Sequence, residues 1–272
     1  MRNVKDEIPS NHGARTNRGP NQVKEFYDTH TTLVNKSILV VCIVLALILG
    51  MGSYIINGNI NSILRALGNT ILISVIAIAM GFALGIVIGL GRVSRNIFIS
   101  GICSIYVNIL RGTPLLIQIF FIYFGLPAVG FLIDPIVAAV LALGLNSGAY
   151  QGEIIRGGIQ SIPKGQMEAA RSTGMSYLKA MRYIIIPQGL RLIIPPMTNE
   201  YVTVIKDSSL AYAIGVFELT YIGYKLESWY FQPFIVFTFI ALLYFILTSI
   251  TSSIMMYVEN RTRIPGYMGG AE

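Results

Sequence analysis

Charge is scarce in this chain. Only 12% of its 272 residues are Asp, Glu, Lys or Arg, against about 25% in an ordinary soluble domain. That shortage argues against a soluble multidomain enzyme. Histidine is scarcer still: His12 and His30 are the only two, both in the polar first 36 residues. There is no HExxH segment, no His-rich cluster and no visible nucleophile–base pair, so metal chemistry and histidine-based catalysis have little to work with. No GxxxxGK[ST] occurs either, which leaves the chain without a phosphate-cradling P-loop of its own. Cys42 and Cys103 sit in separate apolar stretches without metal-ligand spacing and read as small buried hydrophobes. The balance of 20 basic to 13 acidic residues invites a nucleic-acid partner. The bases, however, flank apolar runs instead of clustering with exposed aromatics, and no nucleic-acid partner is expected.

What the chain has in abundance is apolar length. Hydrophobic residues make up 54% of it, and they fall in long runs, the mark of an integral membrane protein in contact with lipid. Residues 1–36 are polar, disordered or loosely helical, and read as a cytoplasmic segment. The run at about 37–57 lies too far from the start for a cleaved signal peptide and reads as a first transmembrane helix. Further spans fall at about 68–91, 97–126, 132–155, 187–212 and 232–258. Six spans with the N-terminus inside put sixteen of the 20 Lys and Arg residues on one side, leaving Arg65, Arg111, Lys206 and Lys225 elsewhere. The positive-inside rule then makes both termini cytoplasmic, with residues 261–272 as a cytoplasmic tail. The expected fold is an all-α, polytopic membrane helical bundle with a core over 61–260.

Two glycine series suggest how the bundle packs. Gly81, Gly85 and Gly89 recur every four residues, as do Gly144, Gly148 and Gly152. Each series lines one helix face and admits a neighbouring backbone.

Between the fourth and fifth spans the apolar text is interrupted by GQMEAARSTGMSYLKAMRYIIIPQ, residues 165–188, on the predicted cytoplasmic side. A short helix begins after Pro163 and Gly165 and can end at Gly174 in a left-handed conformation. A second starts at Ser176, a good N-cap, and carries Tyr177, Leu178, Met181, Ile184 and Ile185 as one apolar stripe. Such a segment is either an interfacial helix resting on headgroups or a docking helix kept small at Ala169, Ala170 and Gly174 so that a partner can close over it.

The spacing Glu168-Ala169-Ala170, three residues, Gly174, nine residues, Ile184, one residue, Ile186-Pro187 resembles the EAA loop of ABC importer permeases, departing only at Ile186, where that family has Leu. RGTPLLIQIFFIYFGLP (111–127), NSGAYQGEIIRGGIQSIPKGQ (146–166) and NEYVTVIKDSSLAYAIGV (199–216) are similar to the permeases for polar amino acids, the histidine, glutamine, glutamate, arginine and cystine group. The resemblance covers about residues 60–260, which leaves the first helix, over 37–60, outside the five-span core of the family's shortest members and implies that it is an accessory anchor. It implies a type I ABC importer permease fold, with 157–187 as the coupling loop and an ATPase-coupling role for Glu168, Ala169, Ala170, Gly174 and Met175. It also implies the partners: ABC ATPase subunits that hold ATP and Mg2+, a second permease copy or paralogue, an extracytoplasmic amino-acid-binding protein, and membrane lipid. The chain itself would need no cofactor or metal and sit in the plasma membrane of a prokaryote.

Polar residues at membrane depth are costly and mark pathways. Thr113, Gln118, Asn146, Asp207 and Ser208 are the substrate-pathway candidates, with Ser147, Asn199, Glu200, Lys206 and Ser209 nearby in sequence. Pro195 and Pro196 predict a break in span five, the kind of broken helix at which transporters place their sites. Asp207 fits an ammonium group or cationic side chain of the substrate, a salt bridge to an adjacent base, or a loop at the membrane edge; Arg111 fits gate or scaffold; and Glu153 and Arg156, with Gly157 and Gly158, read as structural and gating. The expected function is an ATP-driven, binding-protein-dependent permease for polar amino acids. The alternatives are an ABC permease for another small solute, such as an osmolyte or methionine, and an ion-coupled secondary transporter.

Overall fold

A computed structural model describes Gly50 and residues 52–262; residues 52–262 belong to the second of two units into which the chain divides, Met51–Glu272. The polar segment 1–36, nearly all of the expected first span and the tail beyond 262 lie outside the described residues. Among the described residues there are helices and no strands. They are α1 (Ser53–Gly58), α2 (Ile60–Arg92), α3 (Ile97–Gly112), α4 (Leu115–Phe120), α5 (Pro135–Gln160), α6 (Lys164–Ser172), α7 (Tyr177–Ala180), α8 (Ile186–Asp207), α9 (Leu219–Tyr230) and α10 (Pro233–Thr262). Helix is what an apolar chain must form in lipid, because it satisfies every backbone group within one segment.

Of these, α2 and α10 are each long and apolar enough to cross a bilayer. The expected span at 97–126 is not one straight helix: α3 and the α4 limb meet at a bend of 105° and make one span only if taken together. At 26 and 22 residues, α5 and α8 have the length, about 39 and 33 Å. Both carry polar residues along one face.

The two glycine series meet each other. A Cβ on Gly85 would lie 2.8 Å from the Cβ of Gln151 and 3.1 Å from the backbone N of Gly152, and one on Gly152 would lie 2.9 Å from Cγ2 of Ile88. Only glycine allows α2 and α5 to cross this closely. A second close crossing joins α5 to α8, where a Cβ on Gly158 would stand 3.1 Å from the carbonyl of Gly189.

Span five does not break at Pro195 and Pro196. Helix α8 runs unbroken from Ile186 to Asp207 with both prolines inside it. The rings lie on the exposed face, while Ile193 and Met197, before and after the pair, are packed against Ile155 of α5 in one buried cluster. That packing holds the helix in line on both sides of the two missing amides.

The break lies in span three instead. Pro114 has no amide to give the carbonyl of Leu110, four residues back. The chain leaves the helix at Thr113, which is extended (φ −118°, ψ 144°), and restarts at Leu115. The freed Leu110 carbonyl accepts from Nε2 of Gln118 at 2.7 Å and Nδ2 of Asn146 at 3.1 Å.

At the far end of α8 the chain makes a 3-10 turn, Ser208–Ile214, closed by Gly215 at φ +80°. Glu218 then caps α9: its carboxylate accepts from the amides of Thr220 and Tyr221, both at 2.8 Å, and from the Tyr244 hydroxyl of α10 at 2.7 Å. Thr70 of α2 accepts the Leu219 amide at 3.1 Å. This buried polar knot ties α2, α9 and α10 together.

Candidate functional site: a polar cavity at the broken span

The break at Pro114 opens onto a cavity of about 510 Å3, within the range of small-molecule sites. Three elements wall it. The end of α3 supplies Arg111 and Thr113, α5 supplies Leu143, Asn146 and Tyr150, and α8 supplies Glu200, Thr203, Val204 and Asp207. The α5 and α8 contributions each form a helical stripe, with Asn146 and Tyr150 four apart, and Glu200, Thr203 and Asp207 at intervals of three and four.

Both signs of charge face the same space. Arg111 is the cation, its guanidinium 4.9 Å from the centre of the Tyr150 ring, and it stands in the last turn of α3, where the helix dipole favours positive charge. Glu200 and Asp207 are the anions, two turns apart on one face of α8, or about 10 Å along the axis. Oε1 of Glu200 accepts from the Ser147 hydroxyl at 2.7 Å, and that hydroxyl accepts from Nε2 of Gln151 at 2.9 Å. Among the described residues Asp207 has no ion pair, so the salt bridge to a neighbouring base is not formed. A ligand with an ammonium and a carboxylate would find a charged partner for each, with the neutral hydrogen-bonding groups of Thr113 and Asn146 between them.

Three of the five residues expected on the pathway, Thr113, Asn146 and Asp207, line this cavity. Gln118 does not. It is buried behind the break, donating to the carbonyls of Leu110 and Thr113 and to the Thr113 hydroxyl, and its Oε1 accepts from Asn146 at 3.2 Å. Its donors are spent on the carbonyls and hydroxyl around Pro114, which makes it a brace. Ser208 is fully buried and turned away, its hydroxyl donating to the Ile205 carbonyl at 2.7 Å. Tyr150 and Thr203 also line the cavity, and their spacing from Asn146, Glu200 and Asp207 is the sequence signal for them.

A second constellation sits at the other end of α5. Glu153 pairs with Arg92 at the end of α2 and with Arg156 one turn along α5, while Arg156 also reaches Gln160. One carboxylate thus holds two guanidiniums across the α2–α5 crossing.

The loop containing Glu168 is built as two short limbs. Gly174 at φ +84° ends α6: its amide donates to Arg171 O at 3.1 Å, and that of Met175 donates to Ala170 O at 3.2 Å. This pair of bonds is a Schellman motif, and the Arg171 guanidinium adds a bond to the Met175 carbonyl. Glu168 and Ala169 are exposed, Met175 is half-buried, and Ala170 is buried. Ser176 caps α7, accepting the Lys179 amide at 3.3 Å. The stripe expected from Tyr177 to Ile185 is not one face. A π-turn, Met181–Ile185, joins α7 to α8 and shifts the phase, so Ile185 is buried while Leu178 is 77% exposed. From Tyr177 to Asp207 the chain is one uninterrupted helical rod.

Several known proteins are similar to this chain. The glutamine transport system permease protein of Escherichia coli (strain K12) is 38% identical over 197 residues, covering 72% of this chain and 90% of that protein. The arginine transport system permease protein of Bacillus subtilis (strain 168) is 38% identical over 205 residues, covering 74% and 92%. A crystal structure of an amino acid ABC transporter with histidines superimposes with a TM-score of 0.71 at 37% identity, covering 78% of this chain and 97% of that one. Residues 81–264, the stretch that holds both glycine series, the cavity and the Glu168 loop, match one family as a block, and the chain belongs to that family, the binding-protein-dependent transport system inner membrane components.

Proposed function

We propose that this chain is the permease subunit of an ATP-driven, binding-protein-dependent importer of polar amino acids in a prokaryotic plasma membrane, with both termini cytoplasmic. The observation that carries the reading is a continuity. The α8 face that presents Glu200 and Asp207 to the cavity belongs to the same rod that leads back to the Glu168 loop. Displacement of the loop therefore reaches the cavity without crossing a flexible joint. The names of the glutamine and arginine relatives support the substrate class, and a cavity lined by both charges suits a zwitterion.

ATPase subunits dock on α6, with Glu168 and Ala169 at the contact, Ala170 packed beneath, and Gly174 and Met175 fixing the turn. They hold ATP and Mg2+, and this chain makes and breaks no covalent bond. A second permease copy or paralogue completes the pathway, and an extracytoplasmic binding protein delivers the amino acid. Along the pathway Asp207 and Glu200 receive ammonium, Arg111 receives carboxylate, and Thr113 and Asn146 supply hydrogen bonds.

Two variants test this. Gly174→Val forces a β-branched residue into a left-handed backbone; it should reduce both ATPase co-purification and substrate-stimulated hydrolysis. If both are unchanged, the docking assignment fails. Asp207→Asn in proteoliposomes should change relative uptake across glutamine, arginine, histidine and cystine; an identical panel would remove Asp207 from the pathway.

A further inference from the structure

The rod from α7 to α8 drives only one wall of the cavity. Another wall, with Arg111 and Thr113, hangs from α3, whose other end begins at the four-residue turn after α2. Arg95 in that turn places its guanidinium 4.4 Å from the centre of the Tyr177 ring, the first residue of α7. We propose that Arg95 and Tyr177 form a second transmission link, a positioning contact that carries coupling-loop displacement into α3 and so to the Arg111 wall.

The turn is built stiffly enough to pass a load. The side chain of Asn96 caps α3, accepting from the amides of Phe98 at 2.9 Å and Ile99 at 3.4 Å. Ser94 accepts the Asn96 amide at 3.2 Å, and the Ser100 hydroxyl donates back to the Arg92 carbonyl at 3.3 Å. Arg95 is thus mounted between two rigid helix ends. From there α3 runs 16 residues, about 24 Å, to the turn that holds Arg111. Movement of Tyr177 is delivered covalently to α8 and through the ring to α3, so the two walls move together.

This inference rests on the proposed docking of an ATPase at the Glu168 loop, and the experiment separates the two. The chain is purified with its ATPase, reconstituted with the binding protein, and assayed for labelled arginine and glutamine imported per ATP hydrolysed. Arg95→Ala and Tyr177→Leu should each lower that ratio by roughly two- to five-fold, the weight of one exposed cation–π contact. The double variant should fall no further than either single one. Tyr177→Phe should keep the wild-type ratio, Arg95→Lys should restore part of it, and ATPase content should be constant throughout. A wild-type ratio in Arg95→Ala, or losses that multiply in the double variant, overturns the link while leaving docking intact. A wild-type chain that retains no ATPase overturns docking and the link with it.

Discussion

Replacing Gln118 by Leu tests how the broken span is held. The side chain is buried, and leucine is similar in bulk, so the change removes polar contacts with little change in packing. Gln118 donates to Leu110 O at 2.7 Å, Thr113 O at 3.1 Å and Thr113 Oγ1 at 2.9 Å, and accepts from Asn146 at 3.2 Å. Leu110 O keeps one donor, Asn146, since Pro114 has no amide to offer. The Gln118 amide has two N–H donors to share among its three acceptors, so with the bond from Asn146 three side-chain hydrogen bonds are lost. At an average of about 0.6 kcal/mol each between membrane helices they amount to about 1.8 kcal/mol. Because Leu110 O stays paired, the full desolvation cost of an orphaned carbonyl is not incurred, and the expected loss is about 2 kcal/mol. Chemical unfolding of the detergent-purified chain would read it directly, and arginine and glutamine uptake should fall as Thr113 and Arg111 lose their mounting. Stability within about 0.5 kcal/mol of wild type, the range of an ordinary surface change, would refute the brace.

Gly85→Ala drives a methyl to 2.8 Å from Gln151 Cβ and 3.1 Å from the Gly152 backbone, and should cost about 1–3 kcal/mol by overpacking. Gly101→Ala, with nothing within 4 Å, should instead gain about 0.5–1 kcal/mol in the same unfolding measurement. Glu153→Gln leaves Arg92 and Arg156 facing each other across the α2–α5 crossing. For groups this accessible the cost should be about 1 kcal/mol, diminishing in high salt, and smaller when Arg92→Gln is already present.

Much of this architecture was legible in the sequence because it rests on periodicity. The two glycine series announce a close crossing by their four-residue spacing, and Gly174 announces a left-handed helix end. Two adjacent prolines are more conspicuous in a sequence than one, yet the helix breaks at the single Pro114 and not at Pro195 and Pro196. What decides whether proline interrupts a helix is whether other groups satisfy the carbonyl it frees and whether packing holds the axis. At Pro114 the donors are Gln118 and Asn146, the second from another helix. At Pro195 and Pro196 the axis is held by Ile193 and Met197 against α5. Neither circumstance is written in the local text. Gln118 and Ser208 look like pathway residues in the sequence because polarity at membrane depth does not say whether a side chain's bonds point to a ligand or back to the chain's own backbone. Tyr150 and Thr203 show the converse, since a tyrosine and a threonine on a helix look like ordinary packing and yet line the cavity.

The π-turn at Met181–Ile185 has a consequence for how residues in this region can be gained or lost. A π-turn holds one more residue than the α-turn it replaces, and each residue advances a helix by about 100°. Deleting one residue here would let the rod anneal into regular helix while the loop and the Glu200–Asp207 face keep their relative bearing, because the wide turn already absorbs the extra residue. Deleting one residue from the regular helix between Ile186 and Asn199 would instead rotate that face by about 100° relative to the loop. The π-turn is therefore where the rod tolerates a change of length by one, and beyond it the length of α8 sets an angle.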